Sequence, residues 1–318
     1  MGSHATRSPC SRRRSHRPAR LTRPRGAARY EPRIVGGGDA TRPWPAQGYL
    51  LIQVEAGTFA CAGTLVSGRW FLTAAHCVSD PSDNSVLPAS AFTVRLGSAN
   101  RNLGSEFGAE DVIRHDLYSQ STRSNDVALL RLDAAPPLGD TIAPLRLVAA
   151  NESALWAPGT LASINGWGTT CFEQCATTTN LKEAGVPIVS DASCSSAYGG
   201  SFVATTMVCA GDGTADTCQG DSGGPIMVPR GDVYVLVGVT STGVGCANPD
   251  LPGDLRAPWR AGAQRGGARP DPDREDRLPG IDAVAGRRRR RRSERHRHAR
   301  LARSSRSGLR MEHQRSRR

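Results

Sequence analysis

The chain has 318 residues, 38% of them hydrophobic, and a formal net charge of +12, which is enough apolar material for at least one sizeable core. The charge is unevenly placed: residues 1–33 net +9 and residues 254–318 net +13, whereas residues 34–253 net −10. The basic balance therefore does not make the middle of the chain a nucleic-acid or anionic-membrane binder, and no apolar run approaches the ~20 residues needed to span a bilayer.

Residues 1–33 come first, with ten Arg against Glu31. Their Arg, Pro, Ser and Gly content shows no helix or strand period and cannot bury enough apolar surface to offset the entropy of ordering. This arm is expected to be disordered, and no hydrophobic signal-peptide stretch is legible in it. From Ile34 onward the pattern changes. Short apolar or alternating runs, such as Gly48 to Glu55, Phe92 to Gly97, Asp126 to Leu132, Leu161 to Trp167, Ala184 to Val189 and Tyr234 to Ser241, are separated by Gly, Pro, Ser and Asn clusters. They predict mostly antiparallel β structure, in a sandwich or barrels, with no long amphipathic helix. Residues 254–318 return to the Arg-rich pattern. Without interleaved aromatics or a repeat, the run from Arg287 to Arg292 does not define a nucleic-acid site. The chain is thus divided into a basic arm (1–33), a folded domain (34–253) and a basic tail (254–318).

Eight of the nine cysteines fall within residues 34–253. An even number inside a folded segment is the usage of a secreted, disulfide-stabilised domain; Cys10 stands alone in the arm. Zinc is the rival reading, but Cys-x2-Cys pairs are missing and His76-Cys77 is the one His–Cys adjacency in the domain, so no metal is expected.

Three segments carry chemistry. Gly220-Asp221-Ser222-Gly223-Gly224-Pro225 sets a serine among glycines, where bare backbone can approach a substrate and N–H groups can converge on one point. Leu72-Thr73-Ala74-Ala75-His76-Cys77 places a histidine after an apolar strand, beside a cysteine that can hold it still. Asn125-Asp126-Val127-Ala128-Leu129-Leu130 puts a carboxylate at the mouth of an apolar strand, where its desolvation needs a partner such as an imidazole N–H. Taken singly, these are an ordinary turn, a structural histidine and a strand cap.

Taken together, in the order His, Asp, Ser and with Arg33-Ile34-Val35-Gly36-Gly37 upstream, they closely resemble the trypsin and chymotrypsin family of serine proteases. The resemblance covers residues 33–253. It implies an all-β fold of two six-stranded antiparallel barrels, with Ser222 as nucleophile, His76 as general base and then acid, and Asp126 as the group that orients His76. It assigns the oxyanion hole to the backbone N–H groups of Gly220 and Ser222, and gives Asp221 the task of accepting the ammonium group of Ile34 after cleavage at Arg33. Asp216, six positions ahead of Ser222, matches the anion that pairs with a substrate Arg or Lys. Gly243 and Gly253 match the small walls of that pocket and Ser241 the substrate-strand position, while Thr242 stands where the family usually has Trp, implying a weaker apolar subsite. Ser98 occupies the first position of the family's calcium loop without an acid, so neither calcium nor any other cofactor is expected. The family pairing implies disulfides Cys61–Cys77, Cys194–Cys209 and Cys218–Cys246, leaving Cys171 and Cys175 to close a small loop. The bridges imply export; the resemblance implies protein or peptide substrates cut after Arg or Lys and an activating protease that also cuts after Arg; a monomer without nucleic-acid or membrane partners is expected.

The resemblance ends at Pro252-Gly253, after which the chain reads Asp254-Leu255-Arg256-Ala257-Pro258-Trp259. The family's closing strand and C-terminal helix are expected to be absent, leaving the second barrel incomplete. One Lys among 41 basic residues implies a GC-rich, bacterial-looking gene, and misreading such DNA yields mainly Arg, Pro, Ala and Gly. Residues 1–29 and 254–318 are therefore expected to be out-of-frame translation. Three function classes follow: an active endopeptidase, an inactive or misfolded homologue that binds without cutting, and a nucleic-acid-associated protein acting through its arms. The intact triad and pocket residues favour the first.

Overall fold

The structure is a computed structural model that describes residues 34–171, 175–243 and 245–248, and the backbone of 253–256. The arm, the rest of the tail and the expectations that fall on them lie outside the described residues. The strands in chain order are β1 (Gly38–Asp39), β2 (Gln47–Val54), β3 (Gly57–Ser67), β4 (Trp70–Thr73), β5 (Phe92–Leu96), β6 (Ser105–Arg114), β7 (Ala128–Leu132), β8 (Leu161–Gly166), β9 (Lys182–Val189), β10 (Val208–Ala210), β11 (Pro225–Arg230), β12 (Val233–Thr242) and β13 (Gly253–Arg256). Helix α1 (Asp191–Tyr198) begins at Ser190, whose side chain accepts the Ser193 N–H at 3.1 Å and so satisfies a donor at the start of the helix. No helix among the described residues is long and apolar enough to cross a membrane.

Strands β2 to β7 close into an antiparallel barrel in the order β2-β3-β4-β7-β6-β5. Alternation is clearest in Phe92-Thr93-Val94-Arg95-Leu96, whose odd members are buried. They meet Leu50, Leu65, Phe71 and Leu130 inside the barrel. A Cβ at Gly48 or Gly63 would come within 2.5 or 2.4 Å of the Phe71 ring, so the two glycines make room for a fully buried aromatic side chain of this barrel.

The second group forms the order β1-β9-β10-β13-β12-β11-β8, and β8 also pairs with β9. Six strands thus join in a ring, with β1 added outside on β9, and Ile164, Val186, Ile226, Val228 and Val235 fill it. The two barrels meet on a shared apolar cluster in which Leu72 and Leu129 pack with Met227, Leu236 and Val239.

The ring corrects the expectation that the chain lacks a closing strand. Gly253–Arg256 is extended, pairing Leu255 with Val208 on one side and with Thr240 on the other. Main-chain pairing requires only extended backbone, and the facing edges of β10 and β12 otherwise present unpaired donors and acceptors. Asp254-Leu255-Arg256 meets that need without the family's residues. Strands β3 and β6 are the longest of those that the runs named from the sequence do not include. In β6, Glu106, Glu110 and Asp111 are exposed while Phe107, Val112 and Ile113 are buried, and its register shifts against β7 between Ala109 and Asp111. That shift breaks the period-two signal.

Candidate active site

Pairing of β4 with β7 matches Thr73 with Ala128. His76 follows Thr73 by three residues and Asp126 precedes Ala128 by two, so an antiparallel register brings both to one end of the pair although they are 50 residues apart. His76 opens a 3-10 turn, His76–Val78, and the Cys61–Cys77 disulfide ties that turn to β3. Asp126 is buried, and its two oxygens receive different groups of the same histidine. Oδ1 accepts the His76 backbone N–H at 2.8 Å and Oδ2 faces His76 Nδ1 at 2.7 Å. The Ser241 hydroxyl, arriving on β12 from the other barrel, also donates to Oδ2. Burial by itself would raise the Asp126 carboxyl, but the His76 charge and the hydrogen bonds from His76 and Ser241 outweigh it and hold the group below the usual carboxylate range. The result is an anchored imidazole whose Nε2 side is left for other work.

Ser222 lies on the turn before β11. Its carbonyl accepts the Ala62 N–H at 2.7 Å, next to Cys61, and the following Gly223 N–H donates to the Thr240 carbonyl at 2.8 Å. The turn is thereby clamped between the barrels, beside the disulfide that fixes His76. Only glycine fits at position 223: its φ is +79°, and a Cβ would come within 2.2 Å of the Thr73 hydroxyl and 2.4 Å of the Ala62 carbonyl. The Asp221 N–H donates to the Cys218 carbonyl and the Gly224 N–H to the Asp221 carbonyl. None of these bonds uses the N–H of Gly220 or Ser222.

Asp221 is fully buried, with Oδ1 accepting the Gly168 N–H at 2.7 Å and Oδ2 the Cys218 N–H at 2.9 Å. Burial dominates those bonds and pushes the carboxyl up to about 6. A Cβ at Gly166 or Gly168 would come within 2.0 or 2.6 Å of this carboxylate. These two glycines make room for the Asp221 carboxylate, a need the sequence reading missed; the Gly166-Trp167-Gly168 triplet at the end of β8 was the available signal. Ile34, at the other end of the chain segment, is buried against Val148, Trp156 and Ala215, and its neighbour Val35 accepts the Asp216 N–H at 3.0 Å.

Asp216 is also buried. Its oxygens accept the N–H groups of Thr217 at 2.8 Å and Ala247 at 3.0 Å, yet burial prevails and raises its carboxyl above the ordinary range. Gly243 is exposed beside the exposed Thr242, and Gly253 pairs with Ala210 at the start of β13. Arg33 lies outside the described residues. Ser98 accepts the Asn100 N–H at 3.0 Å within its own loop.

The disulfides are Cys61–Cys77, Cys171–Cys175, Cys194–Cys209 and Cys218–Cys246. Among the described residues, Cys61, His76 and Cys77 crowd together as metal ligands would, but both sulfurs are spent in one disulfide and offer no thiolate.

A carboxylate-anchored imidazole and a glycine-framed serine, whose carbonyl lies 3.8 Å from the sulfur of Cys77 next to that histidine, are equipment that serine hydrolases use to split acyl transfer into two easier steps. The family model described as Trypsin matches residues 34–255. "Trypsin delta" of Drosophila melanogaster is 37% identical over 227 residues, covering 70% of this chain and 82% of that protein. "Transmembrane protease serine 5" of Homo sapiens is 37% identical over 236 residues, 72% of this chain, and "Proclotting enzyme" of Tachypleus tridentatus is 36% identical over 239 residues, 70% of this chain. The match spans 50% of the human protein and 62% of the Tachypleus protein. The chain belongs to the trypsin family of serine proteases.

Proposed function

We propose that this chain is a secreted serine endopeptidase that hydrolyses peptide bonds after Arg or Lys, and that it is switched on by cleavage between Arg33 and Ile34. The observation that carries the reading is the buried Asp126 carboxylate holding His76 Nδ1 at 2.7 Å. That bond selects the tautomer whose Nε2 is free to take a proton. Ser222 attacks the scissile carbonyl as its proton passes to His76, and His76 then returns that proton to the leaving amine. Water repeats the sequence on the acyl-enzyme. The N–H groups of Gly220 and Ser222 receive the developing oxyanion, a contribution worth about 10²–10³ in rate per donor.

Asp216 supplies the specificity. A buried carboxylate whose hydrogen bonds come from the neutral N–H groups of Thr217 and Ala247 and the Thr217 side chain gains most from a cation, and the side chains of Arg and Lys deliver one. Asp221 has the same need, which the new ammonium group of Ile34 meets once Arg33 is removed. Four disulfides suit an oxidising compartment. Protein substrates, a separate activating protease and action as a monomer complete the reading, with residues 1–33 as the propeptide arm and 254–318 as a tail.

The test is hydrolysis of an Arg anilide by the chain cut after Arg33, with Ser222→Ala as control. Expected are turnover by the cut parent chain and its loss in Ser222→Ala. Turnover surviving in Ser222→Ala, or none in the cut parent chain, would overturn the reading.

A further inference from the structure

Gln219 and Gly220 share one peptide unit, and its planarity makes the Gln219 carbonyl and the Gly220 N–H point in opposite directions. Whatever grips that carbonyl therefore aims the N–H. The grip comes from Thr169, the residue after the Gly166-Trp167-Gly168 triplet. Its N–H donates to the Gln219 carbonyl at 2.8 Å, and its hydroxyl donates to the Oε1 of the Gln219 side chain at 2.9 Å.

Thr169 is held in turn. It is bridged to Thr177, and the Cys171–Cys175 disulfide closes the loop between them. The Cys171 carbonyl oxygen lies 3.6 Å from the Cys218 sulfur, and that sulfur lies 2.9 Å from Gln219 Oε1. Gly220 rests on the same structure, since a Cβ there would come within 3.1 Å of Gly168 Cα and 3.4 Å of the Thr177 methyl. With φ at +97°, Gly220 is in a region that glycine enters and leaves at little steric cost, so its own geometry does not stop the peptide from turning over.

We propose that Thr169, backed by the Cys171–Cys175 disulfide, is a positioning residue that keeps the Gly220 N–H aimed at the developing oxyanion. The proposal rests on the assignment of Gly220 and Ser222 as oxyanion donors. If the 219–220 peptide turned over, a carbonyl oxygen would face the oxyanion in place of a donor, and a donor accelerates the reaction only while it is preorganised. The contact acts in the transition state rather than on the bound Arg side chain, so loosening it lowers kcat and leaves KM nearly unchanged. Because Gly168 also donates to Asp221, the segment from Gly168 to Thr169 links the buried acid that activation addresses to the peptide that catalysis uses.

The experiment measures kcat and KM on an Arg anilide for the cut chain and its Thr169→Val, Thr169→Ser and Cys171→Ser/Cys175→Ser variants, together with benzamidine affinity as a check on the pocket. Thr169→Val is expected to lower kcat about 3- to 10-fold, the effect of one lost hydrogen bond, with KM and benzamidine affinity within about twofold. Thr169→Ser should restore kcat, and the double cysteine variant should reproduce the loss. Retention of kcat within about twofold in Thr169→Val overturns the proposal. So does a fall in benzamidine affinity that tracks the fall in kcat, since that marks a general disturbance. If the cysteine variant does not fold, the Thr169 pair decides alone. Full activity in Ser222→Ala would remove the serine-nucleophile reading on which the proposal rests, whereas its inactivity beside an unimpaired Thr169→Val removes only the positioning role.

Discussion

Two buried acids within six residues of each other have the same need for a cation, and under the proposed function different cations meet it. Asp216 and Asp221 each accept two backbone N–H groups, and in both cases burial overrides those bonds and raises the carboxyl. Asp216 is charged only above its raised range, so KM for Arg substrates should climb as pH falls and this carboxyl takes up a proton. Asp216→Asn removes the anion but keeps the shape. It is expected to lower kcat/KM for Arg and Lys anilides by at least about 100-fold, on the order of the 3 kcal/mol that an unpaired buried charge costs, while Ser222 still reacts with a small uncharged acylating agent. Parallel loss of both reactions would show that Asp216 supports the fold rather than the pocket.

Strands place these residues through register rather than through sequence proximity. β4 and β7 bring His76 to Asp126, and β12 carries Ser241 across from the second barrel to the same carboxylate. β13 matters for a different reason, because its four residues stand between β10 and β12 and close the second ring. A chain ending at Arg256 is expected to stay soluble with a single cooperative melt. One ending at Pro252 exposes two strand edges and should aggregate. Light scattering and a thermal melt on the two truncations check this, and equal solubility and melting would mean that β13 contributes nothing.

The proposed activation belongs to the scale of the whole molecule, since it would join the chain segment at Ile34 to the buried acid at Asp221. In the uncut chain, burial lifts Asp221 from the usual 3.8 to about 6. Between those values the folded chain holds a proton that the unfolded chain has released. Uncut stability therefore falls as pH rises through that window, by on the order of 3 kcal/mol once pH exceeds 6. An ammonium group beside the carboxylate favours its charged form and offsets this loss. The difference in Tm between cut and uncut protein, both carrying Ser222→Ala to prevent self-digestion, should widen from pH 4 to 7, and Asp221→Asn should flatten it. A difference independent of pH would show that the Ile34 ammonium does not address Asp221.

The sequence alone determined the β class, the trypsin-family membership and the residues worth watching, because motif chemistry is local: a serine among glycines, a histidine before a cysteine and an aspartate before an apolar strand keep their signature in one dimension. It left β3 and β6 unmarked, since a shifted register and exposed acids blur the period-two pattern, and it expected an open second barrel where β13 closes one. Gly166 and Gly168 escaped notice for a related reason. Their need for glycine comes from a carboxylate more than 50 positions away, and no local rule contains that distance. Only the tertiary structure decided that Thr169 grips the 219–220 peptide, that Ser241 completes the partners of Asp126, and that two acids lie buried among neutral N–H donors. Each of these depends on which backbone groups meet across barrels and loops, and burial, which turns such meetings into shifted carboxyls, is a property of the packed chain rather than of any segment in it.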